Sequence, residues 1–170
     1  IFALTLENVL PSIYYQITIG GAVVAVIGFI DDAIEIKALF KLIAQIILSI
    51  WILFIFFDNL ESRFAAIPKQ LLIVAMLIPC FFLVWLKNVF NFMDGIDGMA
   101  ISGSILIVWS AALMIYFTHG FNENSLMLFT LGGICMGFLL FNYPPASIFM
   151  GDSGSLFLGY MVGCFFIKTI

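Results

Sequence analysis

Residues 39–57 read LFKLIAQIILSIWILFIFF, a continuous apolar run in which Lys41 is the single charged side chain. A helix rises about 1.5 Å per residue, so a run of this length can cross the roughly 30 Å hydrocarbon core of a bilayer. The run lacks the alternation of polar and apolar residues that marks a barrel strand. It therefore predicts a transmembrane helix.

The rest of the chain repeats this pattern. Further apolar runs lie at 10–30, 69–87, 99–118, 125–141 and 156–170, separated by Asp, Asn, Gly, Pro and charged residues. The chain is 64% hydrophobic and 9% charged, whereas soluble domains are about 45–50% apolar and about 25% charged. We predict an all-α fold, a polytopic transmembrane helical bundle of about six spans. Residues 1–170 would form one integral membrane domain in the lipid bilayer.

Charge and small residues add two further expectations. The net charge is −4 and no basic stripe is present, so a nucleic-acid partner is not expected. The pairs Gly133 and Gly137, and Gly159 and Gly163, have the four-residue spacing that lets membrane helices pack closely. We expect both pairs to lie at helix–helix contacts.

Three polar segments lie on the same side of the membrane, because successive loops between membrane spans alternate between the two sides. They are residues 31–37, 88–98 and 142–155, which follow the first, third and fifth runs. The loops on the other side carry ordinary connector residues. Ionisable groups near membrane depth are costly and are functional candidates by default. Lys37, Lys41 and Lys87 lie on this side of the membrane and Arg63, Lys69 and Lys168 on the other, so the positive-inside rule does not orient the chain.

The first segment begins with adjacent carboxylates, Asp31 and Asp32, with Glu35 and Lys37 nearby. Adjacent carboxylates repel each other unless water, a cation or a basic group is close. The pair predicts either a Mg²⁺ or proton-transfer site, or a solvated helix terminus. Lys41, at the start of the next run, could hold a phosphate or extend to the membrane interface.

The second segment carries Asp94 and Asp97, each followed by glycine. On a helix, three-residue spacing puts both carboxylates on one face. The alternative is a pair of Asp-Gly turns. Asn88 and Asn91 have the same spacing and extend a polar stripe beside the membrane.

The third segment ends in Gly151-Asp152-Ser153-Gly154-Ser155, which opens the last run. A helix N-terminus with small residues suits phosphate oxygens, because its backbone N–H groups are free to bind an anion. The alternative is a simple helix cap. Taken together, the three segments place many carboxylates on one face. An anionic substrate would need a divalent cation there, so the face predicts Mg²⁺-dependent chemistry on a phosphate or diphosphate.

Three ordered motifs now show a family resemblance. They are Gly28-Phe29-Ile30-Asp31-Asp32, the stretch from Asn88 through Asn91, Asp94, Gly95, Asp97 and Gly98 to Ala100, and Phe149-Met150-Gly151-Asp152 followed by Gly154-Ser155-Leu156. Together they resemble the polyprenyl-phosphate N-acetylhexosamine-1-phosphate transferases. The form Asn91-Phe92-Met93-Asp94-Gly95-Ile96-Asp97-Gly98 resembles the members that initiate lipopolysaccharide O-antigen more than it resembles the muramoyl-pentapeptide enzymes.

The resemblance implies substrates, a cofactor and a location. The substrates would be a UDP-N-acetylhexosamine and undecaprenyl or another polyprenyl phosphate, with Mg²⁺ as cofactor and UMP as the second product. The protein would be a multi-pass protein of the inner (plasma) membrane with a cytoplasmic active face, and a homodimer is an open alternative. Family members have about ten spans, so we expect this chain to lack early and late spans and a His-rich loop.

The resemblance also implies a role for each candidate residue. Catalytic candidates are Asp31, Asp32, Asp94 and Lys41; substrate-binding candidates are Asn88, Asp97, Asn142, Phe149, Gly151 and Ser155; metal candidates are Asp152 and Asn91. Asp31 or Asp32 would orient or deprotonate the lipid phosphate, Lys41 would hold phosphate, and Asp97 and Phe149 would hold the uracil. Two alternatives remain at this point: an ion-coupled transporter, which predicts carboxylates in mid-span, and an inactive member of the family.

Overall fold

A computed structural model describes residues 12–34, 36–63, 66 and 68–169, and these residues are helical with short connections. The helices are α1 Ser12–Ile34, α2 Ala38–Arg63, α3 Lys69–Ala75, α4 Leu77–Met93, α5 Met99–His119, α6 Glu123–Asn142 and α7 Gly151–Thr169. Within these ranges there is no strand, and the predicted all-α fold is confirmed. Glu35, one of the acidic residues of the first polar segment, lies outside the described residues.

Five stretches of the described chain are long and apolar enough to cross a bilayer. They are Ile13–Ile34, Ala38–Phe57, Lys69–Met93, Met99–His119 and Glu123–Asn142. The chain is therefore a multi-pass membrane protein with a polytopic helical bundle. The sixth predicted span is also a helix, α7, but it is less apolar and is not among the five.

Polar residues at its two ends, Asp152, Ser153, Ser155 and Lys168, lower the apolarity of α7, and its middle is buried. This helix packs along α1 and α4, while α5 and α6 form a second closely packed pair. Residues 155–165 are buried with the exception of the half-buried Phe157. A helix covered by other helices needs little lipid-facing surface, so α7 can carry Gly159, Tyr160 and Gly163 in its middle.

The third span is interrupted once. α3 ends at Ala75 and α4 begins at Leu77. Pro79 has no N–H, so it cannot donate the usual helical hydrogen bond to Ala75. The chain continues in the same direction, and the run that we expected to end at residue 87 extends as helix to Met93.

Glycines set the distances between α7 and its neighbours. A Cβ on Gly28 would lie 2.5 Å from the Asp152 carbonyl oxygen, and one on Gly159 would lie 2.7 Å from the Lys87 Cα. Gly163 also lies at a tight contact, as expected from its spacing with Gly159. The same expectation was wrong for Gly133 and Gly137 within the described chain, because nothing lies within 4 Å of a Cβ built on either of them.

Candidate active site

Three separate helix ends meet around the ammonium group of Lys41. Its Nζ atom lies 2.7 Å from Asp31 Oδ2 and also forms an ion pair with Asp152 Oδ2. The Lys41, Asp31 and Asp152 side chains are 17%, 12% and 23% exposed. Asp31 lies in the last turn of α1, Lys41 in the first turns of α2 and Asp152 in the first turn of α7. The predicted convergence of these segments at one end of the bundle is therefore confirmed.

Asp152 stands at the centre of this arrangement. Its second oxygen, Oδ1, accepts a hydrogen bond from the Asn91 side chain. The same Asn91 amide donates to Ser155 Oγ at 3.1 Å. Asn91 lies in the last turn of α4, so Asp152 links three helices: α2 through Lys41, α4 through Asn91, and its own helix α7.

Asp32 caps the beginning of α7 from another helix. Its two oxygens accept the backbone N–H groups of Asp152 at 2.9 Å and Ser153 at 3.2 Å. The Gly151 N–H donates to Asp94, and the Gly154 N–H donates to the Met150 carbonyl. The expectation of free donors at this helix N-terminus was therefore wrong, because Asp32, Asp94 and the Met150 carbonyl already accept them. Phosphate binding by Gly151 and Ser155 stays a prediction.

Asp94 lies at the end of α4, just outside the membrane-spanning stretch Lys69–Met93. Burial raises the pKa of its carboxyl from 3.8 to about 6, and the Gly151 N–H works in the opposite direction. The charges of Asp152 and Asp32 raise this pKa as well. Asp94 thus belongs electrostatically to the same acidic centre, although it does not contact Lys41 directly.

The segment after Asp94 is a turn and not a helix face. Residues 94–98 are non-helical, and Gly98 has a φ of 73°, a left-handed conformation that favours glycine. Asp97 Oδ2 accepts the Ala146 N–H at 3.0 Å. The Asp-Gly turn alternative was therefore the correct one, and Asp97 connects this turn to the loop between α6 and α7.

Asn142 fixes the same two loops to each other. Its side chain, 2% exposed, accepts the Gly98 N–H at 3.0 Å and donates to the Ile148 carbonyl at 3.0 Å. A cleft of about 200 Å³ opens beside Asp97, lined also by Ser102, Tyr143 and Pro144. Phe149 is 72% exposed on the nearby loop. The roles of these residues toward a nucleotide stay predictions.

Two neighbouring polar residues of α4 point to different partners. Asn88 donates to Gln45 Oε1 and to the Val84 carbonyl, each at 2.7 Å, so it faces α2 while Asn91 faces α7. Lys87 was counted above among the residues at the membrane surface, but its side chain is fully buried. Its Nζ donates to the Gln45 carbonyl at 2.9 Å and to Ser49 Oγ at 3.0 Å.

Sequence reasoning missed this buried polar group. Lys41, Gln45 and Ser49 recur every four residues, which places them on one face of α2. That spacing was visible inside the apolar run 39–57 and is the signal that would have identified Gln45 and Ser49. The Gln45 Nε2 atom is buried and has no hydrogen-bond partner among the described residues.

The donor set is compatible with Mg²⁺. Within the described residues, no group of three or more His, Cys, Asp or Glu side chains could hold a metal by itself. However, oxygens of Asp31 and Asp152 converge on one cationic atom, and Asn91 lies beside them. Mg²⁺ is commonly held by one or two carboxylates together with water and substrate phosphates. The residues therefore fit a magnesium site that substrate phosphates complete.

Comparison with known proteins gives a consistent result. The sequence model of glycosyl transferase family 4 matches residues 14–170. The chain is 35% identical over 149 residues to the phospho-N-acetylmuramoyl-pentapeptide-transferase of Lactococcus lactis subsp. cremoris, covering 81% of this chain and 45% of that protein. It is 36% identical over 159 residues to the enzyme of the same name from Clostridioides difficile, covering 84% and 49%.

A second type of relative is equally similar. The chain is 32% identical over 151 residues to the probable undecaprenyl-phosphate N-acetylglucosaminyl 1-phosphate transferase of Bacillus subtilis. That match covers 86% of this chain and 41% of the relative. The chain thus spans less than half the length of these curated relatives. Both types have names that describe phospho-sugar transfer.

Proposed function

Because this chain belongs to glycosyl transferase family 4, we propose that the protein transfers an N-acetylhexosamine 1-phosphate from a UDP-sugar to undecaprenyl or another polyprenyl phosphate. The observation that carries this proposal is the convergence of Asp31 and Asp152 on Lys41 beside Asn91. Such a site offers both signs of charge to a diphosphate at the membrane surface. The similarity to two kinds of phospho-sugar transferase supports the same reaction type.

The reaction is a phosphoryl transfer. An oxygen of the lipid phosphate forms a bond to the β-phosphorus of the UDP-sugar. The bond from that phosphorus to the oxygen bridging the two phosphates breaks, and its electron pair leaves with UMP. Positioning and charge neutralisation supply most of the catalysis in such transfers.

Asp31 is the better of the two adjacent carboxylates for orienting the lipid phosphate. Its Oδ1 accepts the Ile36 N–H at 2.7 Å, but its Oδ2 is held by the flexible Lys41 side chain, which can move away. Both oxygens of Asp32 are instead held by backbone N–H groups of α7. Asp32 would thus keep α7 in place, while Asp31 would present a charged oxygen to the incoming phosphate.

Asp152 and Asn91 would hold Mg²⁺, which supplies neutralisation of the charge that develops on the leaving phosphate. Lys41 would bind a phosphate oxygen through its ammonium group. Asp97, with Phe149, would bind the uracil beside the cleft at Gly98. Asp94 would support this centre from the end of α4.

The location and pathway class belong to the same proposal. We place the site on the cytoplasmic face of the inner membrane, in line with the resemblance of the three motifs. We further propose that the product initiates a cell-envelope polysaccharide of the O-antigen type. The motif Asn91-Phe92-Met93-Asp94-Gly95 supports this choice.

The decisive experiment is Asp152→Asn in the full-length protein. The substitution keeps the side-chain shape and removes the charge that faces Lys41 and Asn91. We expect UMP release to fall by about 10²-fold or more, as is common when a charge at a reacting centre is removed. The dependence on Mg²⁺ concentration should also change. Glu61→Gln is the matched control, because Glu61 pairs with Lys69 at 3.2 Å in an exposed position away from this centre.

Normal turnover with an unchanged Mg²⁺ curve in Asp152→Asn would reject the metal assignment. A second experiment tests which UDP-sugar is the donor. UDP-N-acetylglucosamine or UDP-N-acetylmuramoyl-pentapeptide is supplied together with polyprenyl phosphate. The proposal predicts transfer from the first donor. Transfer from the pentapeptide donor alone would reject the polysaccharide assignment and keep the reaction type.

A further inference from the structure

The position of the Lys41 ammonium group has a consequence for metal binding. Lys41 Nζ contacts Asp31 Oδ2 at 2.7 Å and is paired with Asp152 Oδ2. A divalent cation held by Asp152 would need an oxygen of that carboxylate. Oδ1 already accepts the Asn91 amide and Oδ2 faces Lys41, so the ammonium and the metal ion would compete for the Asp152 carboxylate.

We propose that Lys41 is an exchangeable internal counter-ion. In the metal-free protein its ammonium holds Asp31 and Asp152 together. When a divalent cation enters, the ammonium leaves these carboxylates and binds a phosphate oxygen of the nucleotide. This inference rests on the proposed function for the identity of the phosphate, but the exchange itself is a property of the three side chains.

The structure supplies the means for this exchange. Lys41 lies in the first turns of α2, and its side chain, 17% exposed, is covered for the most part but still reaches solvent. Lysine has a flexible stem and a compact charge with three donors, unlike the rigid fork of arginine. The Lys41 ammonium can therefore turn from one acceptor to another without a movement of α2.

The exchange couples two binding events. A metal ion that displaces Lys41 makes an ammonium group available for phosphate. A phosphate that binds Lys41 makes the Asp152 carboxylate available for metal. Because coupling between two ligands is reciprocal, each ligand should raise the affinity for the other by the same factor.

The test measures Mn²⁺ binding to the full-length protein by electron paramagnetic resonance, without substrate. We expect Lys41→Gln to bind Mn²⁺ about tenfold more tightly than the wild type, since the competing cation is gone. Lys41→Arg keeps a cation at the carboxylates and should bind Mn²⁺ about as weakly as the wild type. Lys37→Gln is the matched control: it removes one exposed charge from the same face and should change the affinity less than about twofold.

A second measurement separates exchange from simple repulsion. UDP should tighten Mn²⁺ binding in the wild type, and this enhancement should be largely lost in Lys41→Gln. Thermal melting of each variant identifies any that fail to fold, in which case Lys41→Met replaces Lys41→Gln.

Unchanged or weaker Mn²⁺ binding by Lys41→Gln would overturn the inference, as would equal tightening in Lys37→Gln. Absence of Mn²⁺ binding in every variant would also overturn it. Transferase activity is assayed in parallel. An active wild-type protein whose Mn²⁺ affinity does not respond to Lys41→Gln keeps the proposed function and loses this inference.

Discussion

Replacing Gly28 with alanine should separate two helices that carry the site. A Cβ at this position would lie 2.5 Å from the Asp152 carbonyl oxygen and 2.6 Å from both the Asp152 carbonyl carbon and the Ser153 Cα. These are backbone atoms and cannot rotate away. Since non-bonded carbon atoms prefer about 3.5–4.0 Å, α1 and α7 must move apart by roughly 1 Å at this point.

The expected effect follows from what α1 carries one turn later. Asp32 accepts the Asp152 and Ser153 N–H groups at 2.9 and 3.2 Å. An increase of about 1 Å in these two N···O distances puts both hydrogen bonds beyond the ordinary range. Overpacking of this kind costs about 1–3 kcal/mol of stability, and a displacement of about 1 Å at a reacting centre can cost about 10²-fold in rate.

The assay compares melting temperature and UMP release for Gly28→Ala and Gly133→Ala in the full-length protein. Gly133 is the matched control, because nothing lies within 4 Å of a Cβ built there. Alanine is the better helix former by up to about 1 kcal/mol, so this variant should be neutral or slightly stabilised. Equal melting temperatures and equal UMP release in the two variants would refute the reasoning, because they would show that α1 and α7 do not approach each other closely at Gly28.

Two further predictions concern buried charge. Lys87→Met should raise the melting temperature, because the Lys87 ammonium is fully buried without an opposite charge among its described acceptors. These acceptors, the Gln45 carbonyl and Ser49 Oγ, are both neutral. A lower melting temperature would show that the charge stabilises the bundle. In metal-free protein, Asp94 binds its proton more tightly when folded, since its pKa is raised to about 6. The protonated Asp94 carboxyl therefore stabilises the folded state at low pH. This stabilisation should be lost as pH rises from about 4 to about 6 and the carboxyl ionises. The difference in melting temperature between wild type and Asp94→Asn measures this loss, and no change in that difference with pH would contradict it.

The helical spans and the side of the membrane that carries the polar segments could be predicted from sequence, because both depend on local composition. Apolar runs of sufficient length have few alternatives to a membrane helix. Parity then places residues such as Asp31, Asn91 and Asp152 at the same end of the bundle. The ends of the helices were less predictable, since Asn88 and Asn91 look like loop residues and are held in α4 by contacts with α2 and α7.

The pairings within the site could not be read from sequence. Asp32 and Asp152 are far apart in the chain, and only the approach at Gly28 brings the carboxylate to the start of α7. The sequence suggested free N–H groups at that helix start, but a distant carboxylate occupies them. Lys87 was misplaced for a related reason: a lysine near the end of an apolar run resembles an interfacial residue, and its burial depends on acceptors from another helix.

The modest apolarity of α7 bears on how the protein enters the membrane during its synthesis. α7, which opens with Gly151-Asp152-Ser153-Gly154-Ser155, is a weak insertion signal by itself, whereas Ile13–Ile34 and Lys69–Met93, which contain α1 and α4, are apolar enough to cross a bilayer. Both are synthesised before α7, so a receiving surface already exists in the bilayer when residues 151–169 emerge. The last helix would thus be retained by protein neighbours more than by lipid. Correct insertion of the segment that carries Asp152 would then depend on the earlier assembly of the helices that complete its site.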